Sequence, residues 1–265
     1  MTNTCDNILE FNRLCIGYKS NKKQTILIND ISTLVKKGEL IALIGRNGSG
    51  KSSLLRTIIG LIPSIYGDIK FNKLNLNNFT PKKLAKIVSY VSTEKIYIPN
   101  AIVKDVIALG RGVYLNWYGK LTKKDIKIID EAIKLVGIEH LKNKNILQIS
   151  DGERQRVMIA RAIAQDTDII ILDEPTAFLD LQNRFMIFSI LKKLTKEKNK
   201  TIIFSTHDLE NTLNSINKIW FIHNKNLTAL SKQEFIKNNL FDIFLSGTDL
   251  SFDKTDNKIK LLKNL

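Results

Sequence analysis

Residues Gly45 to Ser52 read G-R-N-G-S-G-K-S, and the residues on either side decide what that loop joins. Leu40 to Ile44 is a continuous apolar run, the pattern of a strand buried on both faces, and Lys51 to Ile59 reads as a helix. Strand, glycine loop and helix in this order are the setting in which G-x-x-x-x-G-K-[ST] cradles phosphates. Gly45, Gly48 and Gly50 are expected to take positive φ, turning consecutive N–H groups toward phosphate oxygens at the positive end of a helix. Lys51 then reaches the β- and γ-phosphates, and Ser52 offers its hydroxyl to Mg²⁺. The loop implies a nucleoside triphosphate ligand.

Other stretches place polar groups at strand ends. Asp168 to Leu172 reads as a second buried strand ending at Asp173-Glu174-Pro175, and Thr201 to Thr206 as a third ending at His207-Asp208. Open α/β sheets bind ligands at such carboxyl ends. Asp173 is placed to hold Mg²⁺ through water, and Glu174 to polarise the water that attacks the γ-phosphate. His207 is placed to meet the γ-phosphate or orient the same water; otherwise it is an ordinary satisfied polar residue. Ile8 to Tyr18 and Ile26 to Val35 read as strands before the glycine loop. Ile126, Ile129, Ile133 and Val136 recur at helical spacing, and Glu153 to Gln165 is a good helix former. The division expected is a core of 1–80 and 166–235, a mainly helical insertion at 81–165, and a tail at 236–265 with weak periodicity.

With 265 residues the chain is long enough for one large domain carrying an insertion. Its 41 Lys+Arg against 26 Asp+Glu give +15, a balance that suits a nucleic-acid or membrane-surface partner. The lysines are spread through the chain, however, as at Lys192-Lys193 and Lys196 to Lys200, so no focused patch forms and no nucleic-acid partner is expected. Cys5 and Cys15 supply neither zinc-ligand spacing nor a disulfide framework. No signal peptide and no window near ~18 uninterrupted apolar residues is present, so a soluble chain that is not exported is expected.

Ser150-Asp151-Gly152-Glu153-Arg154-Gln155-Arg156 resembles the signature sequence of the ATP-binding cassette (ABC) ATPases, usually L-S-G-G-Q. The other motifs follow in the family's order over nearly the whole chain. Tyr18 resembles the aromatic residue that stacks on adenine. Gly45, Arg46, Asn47, Gly48, Ser49, Gly50, Lys51 and Ser52, with Ser53, match the Walker A loop, Ile170 to Glu174 the Walker B strand, Ala177 to Asp180 the D-loop, and His207 the switch histidine. The resemblance implies an α/β P-loop NTPase core with a mixed sheet, an N-terminal antiparallel β subdomain and an inserted helical subdomain, the ABC region spanning about 8–235. It implies ATP and Mg²⁺ as cofactors and a head-to-tail homodimer. In that dimer Ser150 and Gly152 of one copy face the nucleotide of the other, with Glu174 and His207 catalytic and Ser52 and Asp173 on the metal.

Two departures stand out. Asp151 replaces the signature's first glycine and Glu153 its last residue, adding carboxylates. Where the family places a glutamine after the strand Ile87 to Val91, this chain reads Ser92-Thr93-Glu94, so Thr93 or Glu94 would have to meet Mg²⁺ or its water. Asp105 to Arg111, in a single cassette without membrane spans, is similar to the ATPases of importers for iron chelates (siderophores), haem and vitamin B12. Such subunits work in pairs at the cytoplasmic face of the membrane, under two membrane-spanning permease subunits served by a substrate-binding protein. Tyr114 to Tyr118 is rich in aromatics, fitting either a docking surface for that permease or local core packing. A cytosolic ABC ATPase of iron-sulfur cluster assembly, or one directed at nucleic acid, would share the same motifs.

Overall fold

The computed structural model describes residues 7–20, 23–94, 98–207, 212–213, 216, 218–253 and 258–261; Cys5 and Asp208 lie outside them. Two long antiparallel strands, β1 (Asn7–Ser20) and β2 (Lys23–Lys36), precede β3 (Leu40–Gly45) and helix α1 (Lys51–Ile58). β4 (Tyr66–Phe71), β5 (Leu74–Asn75), the single-turn α2 (Pro81–Leu84) and β6 (Val88–Val91) come next. Helices α3 (Val103–Ala108), α4 (Lys123–Leu135) and α5 (Asp151–Ala164) intervene before β7 (Ile169–Leu172). The chain continues through α6 (Leu181–Lys198), β8 (Thr201–Thr206), β9 (Lys218–His223) and β10 (Asn226–Ser231). Two short helices, Lys232–Lys237 and Leu240–Leu245, lead to a hairpin of β11 (Leu250–Asp253) and β12 (Lys258–Leu261).

Among the described residues ten strands form one sheet in the order β5-β4-β1-β2-β10-β9-β3-β8-β7-β6. The expected mixed character is present: β5, β4, β1 and β2 pair antiparallel, whereas β9, β3, β8, β7 and β6 run parallel. The parallel strands are apolar on both faces because both faces are covered. Ala42, Ile44, Ile170, Leu172, Ile202 and Phe204 enter one core with α3 to α6. Their alternating neighbours Ile41, Leu43, Ile169, Ile171 and Ile203 enter a second core with α1 and the antiparallel strands. Burying each such side chain contributes about 1.5–3 kcal/mol, so β3, β7 and β8 make a rigid floor for the loops at their ends.

β6 pairs with β7 in parallel register, so residues 88–91 belong to the sheet and the helical insertion runs between these two strands. Within it, α4 begins at Thr122, whose side chain accepts from the Asp125 N–H while the Asp125 carboxylate accepts from Thr122 in return. Ile129 and Ile133 are buried by the apolar stripe, and Gly137, with φ +69, ends the periodic stretch. Arg111 locks the insertion together. Its Nε donates to Asp125 Oδ1 at 2.8 Å and its Nη1 to the Ala164 carbonyl at 2.9 Å, while its guanidinium lies 3.9 Å from the Tyr114 ring centre. Both charged residues are buried.

The tail is anchored by rings. Phe221 of β9 meets Phe235 at 5.2 Å, Phe235 meets Phe241 at 4.8 Å, and Phe241 stacks on Phe252 at 3.7 Å. Phe235, Phe241 and Phe252 are buried in the same core as α3 to α6, although each was an isolated aromatic in the sequence.

Removing one partner of the Arg111–Asp125 pair strands a buried charge, so Asp125→Ala should cost about 3–5 kcal/mol in urea unfolding. Hydrogen bonds from Thr122, and then Arg111, hold the Asp125 carboxyl below its ordinary range. Its contribution is therefore complete above the usual carboxylate range and is lost as pH falls through the lower folded value. Asp125→Asn should flatten the acid side of the stability curve; an unchanged acid slope would mean that Asp125 does not carry it.

Candidate functional site

Four adjacent parallel strands end on one edge of the sheet, and each delivers part of the site. β3 runs into the glycine loop, β7 into Asp173-Glu174, β8 into His207 and β6 into Ser92-Thr93-Glu94. In the loop Gly48 has φ +78 with open space around it, and Gly50 caps α1 from φ +98. Gly45 is glycine for a different reason from the one expected. Its φ is not positive; instead a Cβ there would lie 2.6 Å from Ser49 Oγ and 3.2 Å from the Ile222 carbonyl.

Lys51 opens α1 and is almost wholly buried, its Nζ donating to the carbonyls of Gly45 at 2.9 Å and Arg46 at 3.4 Å. Burial pulls its ammonium pKa down, against an opposing pull from Glu174 and Asp173. Glu174 Oε1 stands 3.9 Å from that ammonium. No acidic residue occupies the first turn of α1, which leaves its positive end available to an anion. Arg46 and Asn47 are exposed at the loop's tip. The Ser49 hydroxyl is buried and has no hydrogen-bond partner, a donor left inside a phosphate-shaped loop. Tyr18 is half exposed and tied to the same helix, its OH lying 2.7 Å from Ser53 Oγ.

Asp173 is fully buried and surrounded by hydroxyls. Ser52 Oγ donates to its Oδ1 at 3.0 Å, Ser205 Oγ donates to the same oxygen at 2.7 Å, and the Tyr90 hydroxyl donates to Oδ2 at 3.4 Å. Ser205 also accepts the Glu174 N–H at 2.8 Å. Glu174 itself has φ +46, a left-handed turn that costs a non-glycine residue about 1–3 kcal/mol. Its carboxylate stands between Lys51 and His207, with His207 Nδ1 at 3.4 Å from Oε2.

Lys51, Ser52, Asp173, Glu174 and His207 are thus brought together. Ser150 and Gly152 stand elsewhere, at the start of α5. Ser150 caps that helix: its hydroxyl donates to Glu153 Oε2 at 2.9 Å, and its N–H donates to the same oxygen at 2.8 Å. The Ser150 N–H is the main reason that the Glu153 carboxyl is held below its usual range. Gly152 packs so closely on Asn183 that a Cβ would come within 2.6 Å of it. Asp151 is matched by Arg154 Nη1 at 2.6 Å. Thr93 is exposed, and Glu94 accepts from Arg56 Nη2 at 2.7 Å.

Three contributors escape the sequence reading: Ser205, Tyr90 and Asn183. Only Ser205 left a signal there, as a polar residue directly after the apolar run Ile202-Ile203-Phe204.

The site's donor set is a buried ammonium, a helix N-terminus, a carboxylate–hydroxyl pair and a second carboxylate beside an imidazole. Oxygen donors from Ser52 and Asp173 suit Mg²⁺, which takes few protein ligands when phosphates supply the others. Among the described residues no cluster of three His, Cys, Asp or Glu side chains suits a resident metal.

Comparison with known proteins agrees with this geometry. The sequence profile of the ABC transporter family matches residues 28–177. MJ0873, an ABC transporter ATP-binding protein of Methanocaldococcus jannaschii, is 37% identical over 89% of this chain and 82% of its own. The iron(3+)-hydroxamate import ATP-binding protein FhuC of Bacillus subtilis is 32% identical over 77% of this chain and 74% of its own. The dimeric structure of MJ0796, a bacterial ABC transporter cassette, superposes with a TM-score of 0.75 at 25% identity, covering 85% of this chain and 99% of that one.

Ser205→Ala would leave the buried Asp173 oxygen and the Glu174 N–H each short of a partner. A loss of about 1–3 kcal/mol is expected in chemical unfolding. A variant as stable as the parent would show that water or a neighbouring hydroxyl replaces Ser205.

Proposed function

This chain belongs to the ABC transporter family of ATP-binding proteins, and from that premise we propose that it is the ATP-hydrolysing subunit of an importer that takes up an iron chelate. Haem and cobalamin are the neighbouring cargo classes. The observation that carries the reading is the convergence of Lys51, Ser52, Asp173, Glu174 and His207 at the ends of β3, β7 and β8. The iron-hydroxamate relative supports the cargo class.

Mg²⁺–ATP, when bound, supplies the phosphoanhydride bond to be broken and a metal that neutralises phosphate charge. The chain's residues do the rest. Arg46, Asn47, Ser49 and the glycines of 45–50 offer backbone and side-chain donors to the phosphates, with Ser53 at the helix start and Tyr18 against the base. Lys51 exchanges its carbonyl partners for phosphate oxygens, which relieves the cost of burying its charge. Ser52 and Asp173 would hold the metal. Glu174 takes the proton from the attacking water, and His207, 3.4 Å away, fixes the carboxylate that receives it.

Ser150 and Gly152 have no part in this half of the site, which supports their use by a second copy across a head-to-tail dimer; the dimeric cassette relative supports the same assembly. Trp117 and Tyr118 do not pack into the core: they are 87% and 69% exposed, with ring centres 4.7 Å apart. On this reading they dock a membrane-spanning partner, two of which, together with a substrate-binding protein, complete the transporter. No helix among the described residues is long and apolar enough to cross a membrane. The permease would therefore hold the chain at the cytoplasmic face.

Glu174→Gln should lower ATP hydrolysis about 10²–10⁴-fold while retaining nucleotide and accumulating dimers on size exclusion; Lys51→Ala should instead weaken nucleotide binding itself. Undiminished turnover in Glu174→Gln would remove it as the base. Trp117→Ala, at so exposed a site, should leave stability unchanged and reduce co-purification with the permease; undiminished assembly would rule out the docking role.

A further inference from the structure

The place where the family puts a glutamine holds Thr93-Glu94, and the structure gives Glu94 a partner other than the metal site. Arg56, on α1 one turn beyond the glycine loop, donates to Glu94 Oε1 at 2.7 Å. An exposed ion pair like this adds little to stability, so its position is the more informative fact. The Tyr90 hydroxyl is the foremost influence raising the Arg56 pKa, which ties the guanidinium to that phenol as well. Tyr90 in turn donates to Asp173 Oδ2, the oxygen that neither Ser52 nor Ser205 uses. Tyr90 is held in register opposite Ile171, two residues before Asp173, so the sheet fixes the Tyr90 end of the contact with Asp173.

We propose that Tyr90 is a positioning residue for the Asp173 carboxylate, and that Arg56 and Glu94 carry that contact outward to the segment leading into the helical insertion. The proposal rests on the reading of Ser52 and Asp173 as the residues that hold Mg²⁺. Tyr90 fixes the carboxylate's rotation, so that Oδ1 faces Ser52. Arg56 holds the phenol oxygen, and Glu94 holds Arg56. A glutamine that touched the metal would report on it directly; here the report passes through a phenol and a guanidinium. Movement of residues 92–94 would then reorient Asp173, and loading of the metal would tighten the 92–94 segment.

The test is Mn²⁺ affinity, read by electron paramagnetic resonance on the full chain with a non-hydrolysable ATP analogue. Tyr90→Phe should weaken Mn²⁺ about ten-fold, as expected for a lost hydrogen bond to a charged group, with analogue affinity in the absence of metal unchanged. Glu94→Gln, fully solvated and harmless to folding, should weaken Mn²⁺ by a smaller factor, about three-fold. The double variant should be no worse than Tyr90→Phe alone, since both act through one path. Unchanged Mn²⁺ affinity in Tyr90→Phe, or additive losses in the double variant, overturns the proposal. A loss in Glu94→Gln exceeding that in Tyr90→Phe also overturns it, because Glu94 would then be a metal ligand in its own right. A parent chain that does not bind the analogue at all would instead sink the nucleotide reading on which the proposal stands.

Discussion

A carboxylate buried to zero exposure at the end of a central strand is the constraint around which this molecule is arranged. Leaving Asp173 unpaired there would be prohibitive, and among the described residues no lysine or arginine forms an ion pair with it, Lys51 acting on it only from a distance. Three hydroxyls compensate, each from a different element: Ser52 from α1, Ser205 from β8 and Tyr90 from β6. Satisfying one buried charge therefore fixes the relative positions of the phosphate loop, two strands and the turn that carries Glu174. A polar network fully satisfied in this way is rigid, and a cation arriving at it meets oxygens already converged.

Parallel strand order explains why those elements can converge. β3, β8, β7 and β6 lie side by side with the same direction, so their carboxyl ends and outgoing loops share one edge. The antiparallel strands at the other end of the sheet contribute by packing: β1 and β2 bury Leu14, Ile16 and Ile28 against α1 and bring Tyr18 beside Ser53. The helical insertion leaves the sheet directly after β6. Any displacement of it is therefore felt first at Ser92 to Glu94, a few residues from the phenol that touches Asp173.

What the sequence made legible were the features that depend on local pattern. Continuous apolar runs marked β3, β7 and β8, the helical period marked α4, and the glycine spacing marked the phosphate loop. Less legible was anything decided by a neighbour distant in the chain. Gly45 is required by the Ile222 carbonyl and Ser49 Oγ rather than by its own φ. Tyr90 looks like any half-buried strand tyrosine until Asp173 and Arg56 are placed beside it. Phe235, Phe241 and Phe252 have no shared periodicity because they belong to three different elements, and only folding turns them into a ladder. Trp117 could not be placed inside or outside by its aromatic run, since cores and docking surfaces favour the same residues. Glu94 and Thr93 were equal candidates for the metal from the sequence, which carried no sign of the ion pair that Glu94 makes with Arg56.

The signature segment carries a further consequence for the assembly proposed. Ser150 is already satisfied: it donates its hydroxyl and its N–H to the Glu153 carboxylate, and Asp151 is matched by Arg154. A γ-phosphate approaching from a second copy would therefore be exchanged for a carboxylate as acceptor of the Ser150 hydroxyl, one anion replacing another. Such an exchange yields much less free energy than filling an empty donor would, because both acceptors are charged and both use the positive end of α5. Glu153 would also have to turn away, or its charge would oppose the incoming phosphate. The contribution of this exchange to the attraction between two cassettes would then be small and would vanish with the γ-phosphate. In the proposed dimer that balance would ease the parting of the two copies, whereas a signature held open for the phosphate would bind more tightly and release more slowly.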